Sequence, residues 1–293
     1  MKKSEPIKRI GLIANSGKAA SRSVVRNAER WIRAAGRSIY CDEATAVLFK
    51  DPVHRFPDAA SLAREVDLLL VFGGDGTMLR VVREIQGAKT PVLGINLGRL
   101  GFLTLVPSQN LRQALEQIWK NEFVLESRSL IEASRVTGGC EVTLCALNDI
   151  VISRGAVSRM IELDVEVDGL ELTRYRCDGL IVSSPTGSTA YSLSAGGAII
   201  SPSADVFAIT PICPHTLSNR SVIIGLSSTV KVRVISEKVE TTVTADGQVQ
   251  EDLATGDVIT IRRSRRAIRL LHPGGISFFE TVRQKLHWSG SNV

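Results

Sequence analysis

Five apolar residues, Leu68-Leu69-Leu70-Val71-Phe72, run directly into Gly73-Gly74-Asp75-Gly76-Thr77, and this junction constrains the chain more than any other stretch. The apolar run reads as a buried strand, and Met78 to Ile85 has helical spacing. The glycines allow a tight turn and a close backbone approach to a ligand. A loop between a strand and a helix N-terminus offers N–H groups and a favourable dipole to phosphate. A carboxylate among phosphates needs a chemical reason. The two candidates are taking a proton from an attacking hydroxyl and holding a metal ion. Both point to phosphoryl transfer.

The rest of the first half repeats this grammar. Arg9 to Ala14 reads as a strand ending in the turn Asn15-Ser16-Gly17-Lys18, followed by a helix over 21–35. That helix carries Val24, Val25, Ala28, Trp31 and Ile32 on one face. Pro91 to Ile95 reads as another strand, Asn96 to Phe102 as a second glycine-rich loop, and Leu111 to Asn121 as a helix. Strands alternating with helices imply a parallel sheet, with ligands at the carboxyl ends of the strands. Beyond Val124 the texture is β-rich: 142–144, 150–152, 163–167, 229–234, 241–245 and 258–261, with turns at Asp168-Gly169 and Asp246-Gly247. The expected architecture is an α/β domain over 1–124 carrying nucleotide chemistry and a sandwich-like β-rich domain over 125–274. A helical segment, 275–293, returns to the first domain.

A chain of 293 residues accommodates two domains. Its net charge of +6 suits small anionic ligands, and the one basic cluster, Arg262, Arg263, Arg265 and Arg266, reads as a strand end or subunit rim. Neither nucleic acid nor a membrane is expected as a partner. The five cysteines are odd in number and lack CxxC spacing, so reduced thiols of a cytoplasmic protein are expected. The four histidines show no metal-ligand spacing.

Two polar clusters carry the remaining chemistry. The run Asp178 to Gly197 contains Pro185-Thr186-Gly187-Ser188-Thr189-Ala190-Tyr191-Ser192-Leu193-Ser194. It reads either as a hydroxyl-lined ligand cradle with an aromatic face or as a capped helix start after a tight turn. Asn148-Asp149 lies between two apolar strands. It reads either as an Asx turn or as an amide for a base edge beside a carboxylate for a ribose hydroxyl.

With these clusters in order, the chain resembles bacterial NAD kinases. The resemblance rests on Gly73 to Thr77, on Gly94-Ile95-Asn96 with Gly98 to Thr104, and on Asn148-Asp149. It continues through Asp178 to Gly197, Cys213-Pro214-His215-Thr216-Leu217-Ser218 and Asp246-Gly247-Gln248, and closes on Phe279, Arg283, Lys285, Leu286 and Trp288. It implies transfer of the γ-phosphate of ATP, or of polyphosphate, to the 2′-hydroxyl of the adenosine ribose of NAD. It also implies a divalent metal, usually magnesium, and a homo-oligomer, dimer or tetramer. Asp75 matches the general base and, with Gly76, a ligand contact, while Gly73, Gly74, Gly76 and Thr77 match the phosphate loop. Arg80, Asn148, Asp149, Arg159, Arg176, Asp178, Thr189, Ala190, Tyr191, Ser192, Leu193, Ser194 and Gln248 match NAD-contacting positions. Asp149 stands where many relatives carry Glu, and Ser221 where many carry Pro. Lipid kinases of the diacylglycerol type share the first motif and give the alternative enzyme reading; a non-catalytic NAD sensor is the third reading.

Overall fold

The structure is a computed structural model that describes residues 7–15, 17, 19–137, 140–156, 159–216, 218–274 and 277–288. Ser16, Lys18 and Leu217, singled out in the sequence, lie outside the described residues. The chain forms two compact units, 1–127 with 267–293 and 128–266. The strand Val258–Pro273 is continuous across the second seam, so residues 267–274 count with the first unit.

The first unit is a parallel sheet in the order His54–Phe56, Ser38–Asp42, Arg9–Ala14, Leu68–Gly73, Val92–Asn96. Beyond Val92–Asn96 the sheet continues with Val106–Pro107 and, at Leu270, with the long strand. The central strands are apolar throughout because both faces are covered: Leu68–Gly73 is buried at all six positions. Val25, Ala28 and Ile32 of the helix Ala19–Ala34 join Ile10, Leu12, Leu70 and Phe72 in one core. Strand order reverses between Arg9–Ala14 and Leu68–Gly73, which places the glycine–aspartate run at a topological switch point, where open α/β sheets collect ligands. The helix Phe278–Leu286 belongs to this unit, where Lys285 Nζ donates to Leu100 O at 2.7 Å.

The second unit is an antiparallel sandwich. One sheet runs Val222–Gly225, Val206–Ile212, Gly179–Ser183, Asp149–Arg154, Thr241–Ala245, Val249–Leu253. The other contains Leu170–Cys177, Ile161–Val167, Val230–Val234 and the start of the long strand. Alternate residues meet in a shared core, including Ile150, Ile152, Val182, Phe207, Leu163, Val232 and Ile261. Both expected Asp-Gly turns form hairpins with positive φ at each of the two residues: 52° and 81° in the two-residue loop Asp168-Gly169, 51° and 62° at Asp246-Gly247 in the three-residue loop that ends at Gln248. Cys41, Cys145, Cys177 and Cys213 are free thiols. Burial pushes Cys41 and Cys145 up to about 11 and Cys177 up to about 12, so these three are inert near neutrality.

Candidate functional site

The helix following the first glycine run starts at Asp75, three residues earlier than its apolar spacing predicts. Gly74 is its N-cap in extended conformation, and Asp75, Gly76 and Thr77 form its first turn. The periodic signal begins only at Met78 because the first turn holds no core residue, whereas Met78, Leu79, Val81 and Val82 are buried. Gly73 is required by packing, since a Cβ there would overlap the Thr77 side chain.

The Asp75 carboxylate is held by the second glycine-rich loop. Its Oδ2 accepts the Phe102 N–H at 2.8 Å, and its Oδ1 accepts the N–H groups of Leu103 and Thr104, both at 3.1 Å. The Thr104 hydroxyl adds a fourth bond to Oδ1 at 3.0 Å. Two glycines let this loop close. A Cβ on Gly101 would overlap the carboxylate, and one on Gly94 would meet Leu103 O at 2.8 Å and Thr104 Cα at 2.9 Å. Asn96 stitches the loop internally: its Oδ1 accepts the Gly98 N–H at 2.7 Å, and its Nδ2 donates to Arg99 O at 2.7 Å and Thr104 Oγ1 at 2.9 Å. The sequence marks this loop by its glycines. The roles of Asn96 and Thr104 are not legible there, because both depend on the carboxylate lying against the loop.

In the second unit a second carboxylate, Asp246, organises the other cluster. From the tip of its hairpin it accepts the N–H groups of Leu147, Asn148 and Asp149 at 2.9, 2.7 and 3.2 Å. The Asn148 carbonyl accepts the Ser184 N–H at 2.8 Å, and Ser184 Oγ donates to Leu147 O at 2.6 Å. Gly187 lies so close to the Asn148 backbone that a Cβ would overlap it. The run after Pro185 therefore folds as a 3₁₀ turn, Thr186–Thr189, and a single helical turn, Tyr191–Ser194, packed onto the Asn148 corner. Arg128, buried in the same unit, donates to Thr186 Oγ1 at 3.1 Å. The local sequence does not single out Arg128, and it marks Asp246 by its turn and motif without showing what the carboxylate binds, since their partners lie 58 and 97–99 residues away.

Asp149 is 4 % exposed, and its carboxyl is pushed up to about 7, first by burial and second by the Asp246 charge. Such a group exchanges a proton or a hydrogen bond near neutral pH. Beside it, Asn148 is half-buried and Tyr191 is exposed, while Ser192 is buried and bonded to Thr210 Oγ1 at 3.1 Å.

These two arrangements sit in a chain that two sequence signatures cover almost from end to end. The signature of the ATP-NAD kinase N-terminal domain matches residues 10–123, and that of the ATP-NAD kinase C-terminal domain matches residues 147–272. The chain belongs to the ATP-NAD kinase family. A NAD kinase of Syntrophotalea carbinolica is 40% identical over 283 residues, 96% of this chain and 99% of that protein. One of Polaromonas naphthalenivorans is 40% identical over 96% of each chain. Among solved structures, a yeast NADH kinase complexed with NADH superposes with a TM-score of 0.88 at 26% identity, covering 99% of this chain and 90% of that one. A NAD kinase from Archaeoglobus fulgidus in complex with ATP gives a TM-score of 0.76 at 27% identity, covering 96% and 100%.

The remaining positions that the family resemblance marks are distributed unevenly. Gln248 closes the hairpin loop that carries Asp246, its N–H donating to Ala245 O at 3.0 Å. Thr189, Ala190, Leu193 and Ser194 follow on the same turns, Thr189 Oγ1 donating to Thr186 O at 3.2 Å. Asp178 and Arg176 do not join them. The strand Gly179–Ser183 pairs Ser183 with Asp149 at one end and Gly179 with Ser153 at the other. Asp178 therefore stands about 16 Å along the strand from Asp149. There it pairs with Arg154 at 2.9 Å, and Arg176 lies 3.8 Å from Glu162 at an exposed position. Arg159 is exposed. In the first unit Arg80 is engaged with both oxygens of Glu84 at 3.1 Å, an i,i+4 pair legible from spacing alone.

Among the described residues no three His, Cys, Asp or Glu side chains are gathered so as to hold a metal ion. The carboxylate nearest the first glycine run already accepts four hydrogen bonds. The described side chains do not fit a preformed divalent-metal cage. Among the described residues no helix is long and apolar enough to cross a membrane.

Proposed function

We propose that this chain phosphorylates the 2′-hydroxyl of the adenosine ribose of NAD, using ATP, with Asp75 as the proton acceptor. The observation that carries the assignment of Asp75 is its carboxylate at the topological switch point, fixed by four hydrogen bonds from residues 102–104. A ribose hydroxyl is a poor acid, so its proton leaves only as the new O–P bond forms. The ribose oxygen attacks the γ-phosphorus, and the bond from that phosphorus to the β-bridging oxygen breaks. ADP departs with the electron pair, and the proton passes to Asp75. Positioning and charge neutralisation supply most of the acceleration in such reactions.

The adenosine is assigned to Asn148 and Asp149, with Thr189 to Ser194 and Gln248 around it. Asn148 offers an amide to the base edge, and Asp149 offers to a ribose hydroxyl a carboxyl raised toward neutrality by burial. Arg80, Arg159, Arg176 and Asp178 stay assigned to NAD, and Gly73, Gly74, Gly76 and Thr77 to the phosphates. Magnesium, the implied divalent ion, receives no side-chain ligand and no step. We place the protein in the cytoplasm, consistent with the free thiols of Cys41, Cys145, Cys177 and Cys213, and as a homo-oligomer, dimer or tetramer, on the family resemblance.

The test is a coupled assay with NAD, ATP and magnesium, product being read by an NADP-specific dehydrogenase. Asp75→Asn keeps the shape and removes the proton acceptor. Turnover is expected to fall by about 10³-fold or more with NAD affinity within several-fold. Unchanged turnover would remove Asp75 from this role. No product with either NAD or NADH would refute the kinase reading itself.

A further inference from the structure

Thr104 is fully buried and Asn96 nearly so, yet both are polar and lie directly behind Asp75. The orientation of every group in this chain of bonds is settled by chemistry. Asn96 Oδ1 accepts the Gly98 N–H, which fixes the amide and points Nδ2 at Thr104 Oγ1. An amide NH₂ only donates, so Thr104 Oγ1 accepts there. The Thr104 hydrogen is then free to go to Asp75 Oδ1, which only accepts.

The two carboxylate oxygens are consequently unequal. Oδ1 receives three donors, the N–H groups of Leu103 and Thr104 and the Thr104 hydroxyl. Oδ2 receives one, the Phe102 N–H. A carboxylate has about four lone-pair positions, two on each oxygen. Oδ1 is saturated and Oδ2 keeps one.

We propose that Thr104, oriented by Asn96, is a positioning residue for phosphoryl transfer, anchoring Asp75 through Oδ1 so that Oδ2 is the oxygen that takes the substrate proton. This rests on the assignment of Asp75 as proton acceptor. Without the hydroxyl, Oδ1 keeps only the two backbone N–H donors, loses its one side-chain anchor, and the carboxylate can turn. A misplaced acceptor lowers the rate of the chemical step while ground-state binding persists.

The experiment compares Thr104→Ser with Thr104→Ala. The pair differs by one hydroxyl, and neither variant adds bulk against Gly94. Thr104→Val keeps the shape without the hydroxyl and serves as the second oxygen-free variant. Folding of each is checked by circular dichroism and melting before kcat and KM are measured for NAD and ATP. Expected is a kcat within about 3-fold of wild type for Ser, and a loss of about 30-fold for Ala and Val, with both KM values within about 3-fold. Ser falling with Ala would mean that the methyl packing matters, not the hydroxyl, and would overturn the proposal. So would Ala or Val turning over at the wild-type rate. Asp75→Asn runs in parallel and separates the two failures. If it is inactive while Ala and Val are active, only the positioning role fails. If it is active, the base assignment fails first.

Discussion

Asp149→Asn is expected to stabilise the folded protein above neutral pH while weakening NAD binding. The carboxyl is pushed up to about 7 in the folded chain from 3.8, through burial first and the Asp246 charge second. In the unfolded chain an aspartate ionises near 3.9. Between those two values the unfolded chain has released the proton and the folded chain still holds it. Native stability therefore declines as pH rises from about 4 to about 7 and is level above that. A shift of roughly 3 units at about 1.4 kcal/mol each caps the loss at about 4 kcal/mol. Asparagine has nearly the same shape and cannot ionise. The variant should match wild type near pH 4 and exceed it by up to about 4 kcal/mol at pH 8. All three tryptophans, Trp31, Trp119 and Trp288, lie in the first unit, so their fluorescence is blind to the second. The informative readout is hydrogen exchange of the amides of Asp149–Arg154 under urea at pH values from 4 to 8, with tryptophan fluorescence as the control that stays put. A stability difference that does not change across that range would refute the buried, protonated Asp149. A gain in stability joined to a loss in NAD affinity would show a buried charge retained for binding at the expense of the fold.

Two further substitutions test the close approaches. Gly101→Ala would place a Cβ 2.5 Å from Asp75 Cγ and 2.7 Å from Oδ2; turnover should fall by about 100-fold with only a few degrees' change in melting, and wild-type activity would contradict the clamp. Asp246→Ala leaves three N–H groups without their acceptor. Each buried donor so abandoned costs about 1–3 kcal/mol, so urea denaturation should report a loss of about 3 kcal/mol or more and the KM for NAD should rise about 10-fold. A denaturation midpoint equal to wild type would refute its organising role.

Much of the fold is legible because it is written in local patterns. Arg9–Ala14 is the strand its sequence predicts, ending with its apolar run, and the Asp-Gly pairs at 168 and 246 form the hairpins their left-handed preference demands. The helix at Asp75 starts earlier than its periodicity, since capping glycines carry no apolar signal. The second seam falls inside the strand Val258–Pro273, where no turn residue marks it, so the domain limit at 274 read from sequence lies beyond the seam at 266. In the candidate site, residue types were legible and their engagements were not. Asp246 reads as a turn residue, and its carboxylate proves to be the keystone of the Asn148 corner. Asp178 lies close to the cradle in sequence and a whole strand away in space, because the intervening residues are extended.

The first unit is discontinuous in the chain, and this sets an order on its assembly at the ribosome. Val92 pairs with Leu270, and the loop that grips Asp75 is held at Leu100 by Lys285. Neither partner exists until the whole of residues 128–266 has been translated. Part of the Val92–Asn96 edge must wait unpaired through that interval, the kind of exposed strand on which nascent chains associate wrongly and chaperones act. A nascent chain halted after the sandwich would hold the complete Asn148 corner and an aspartate whose loop still lacks its Lys285 anchor.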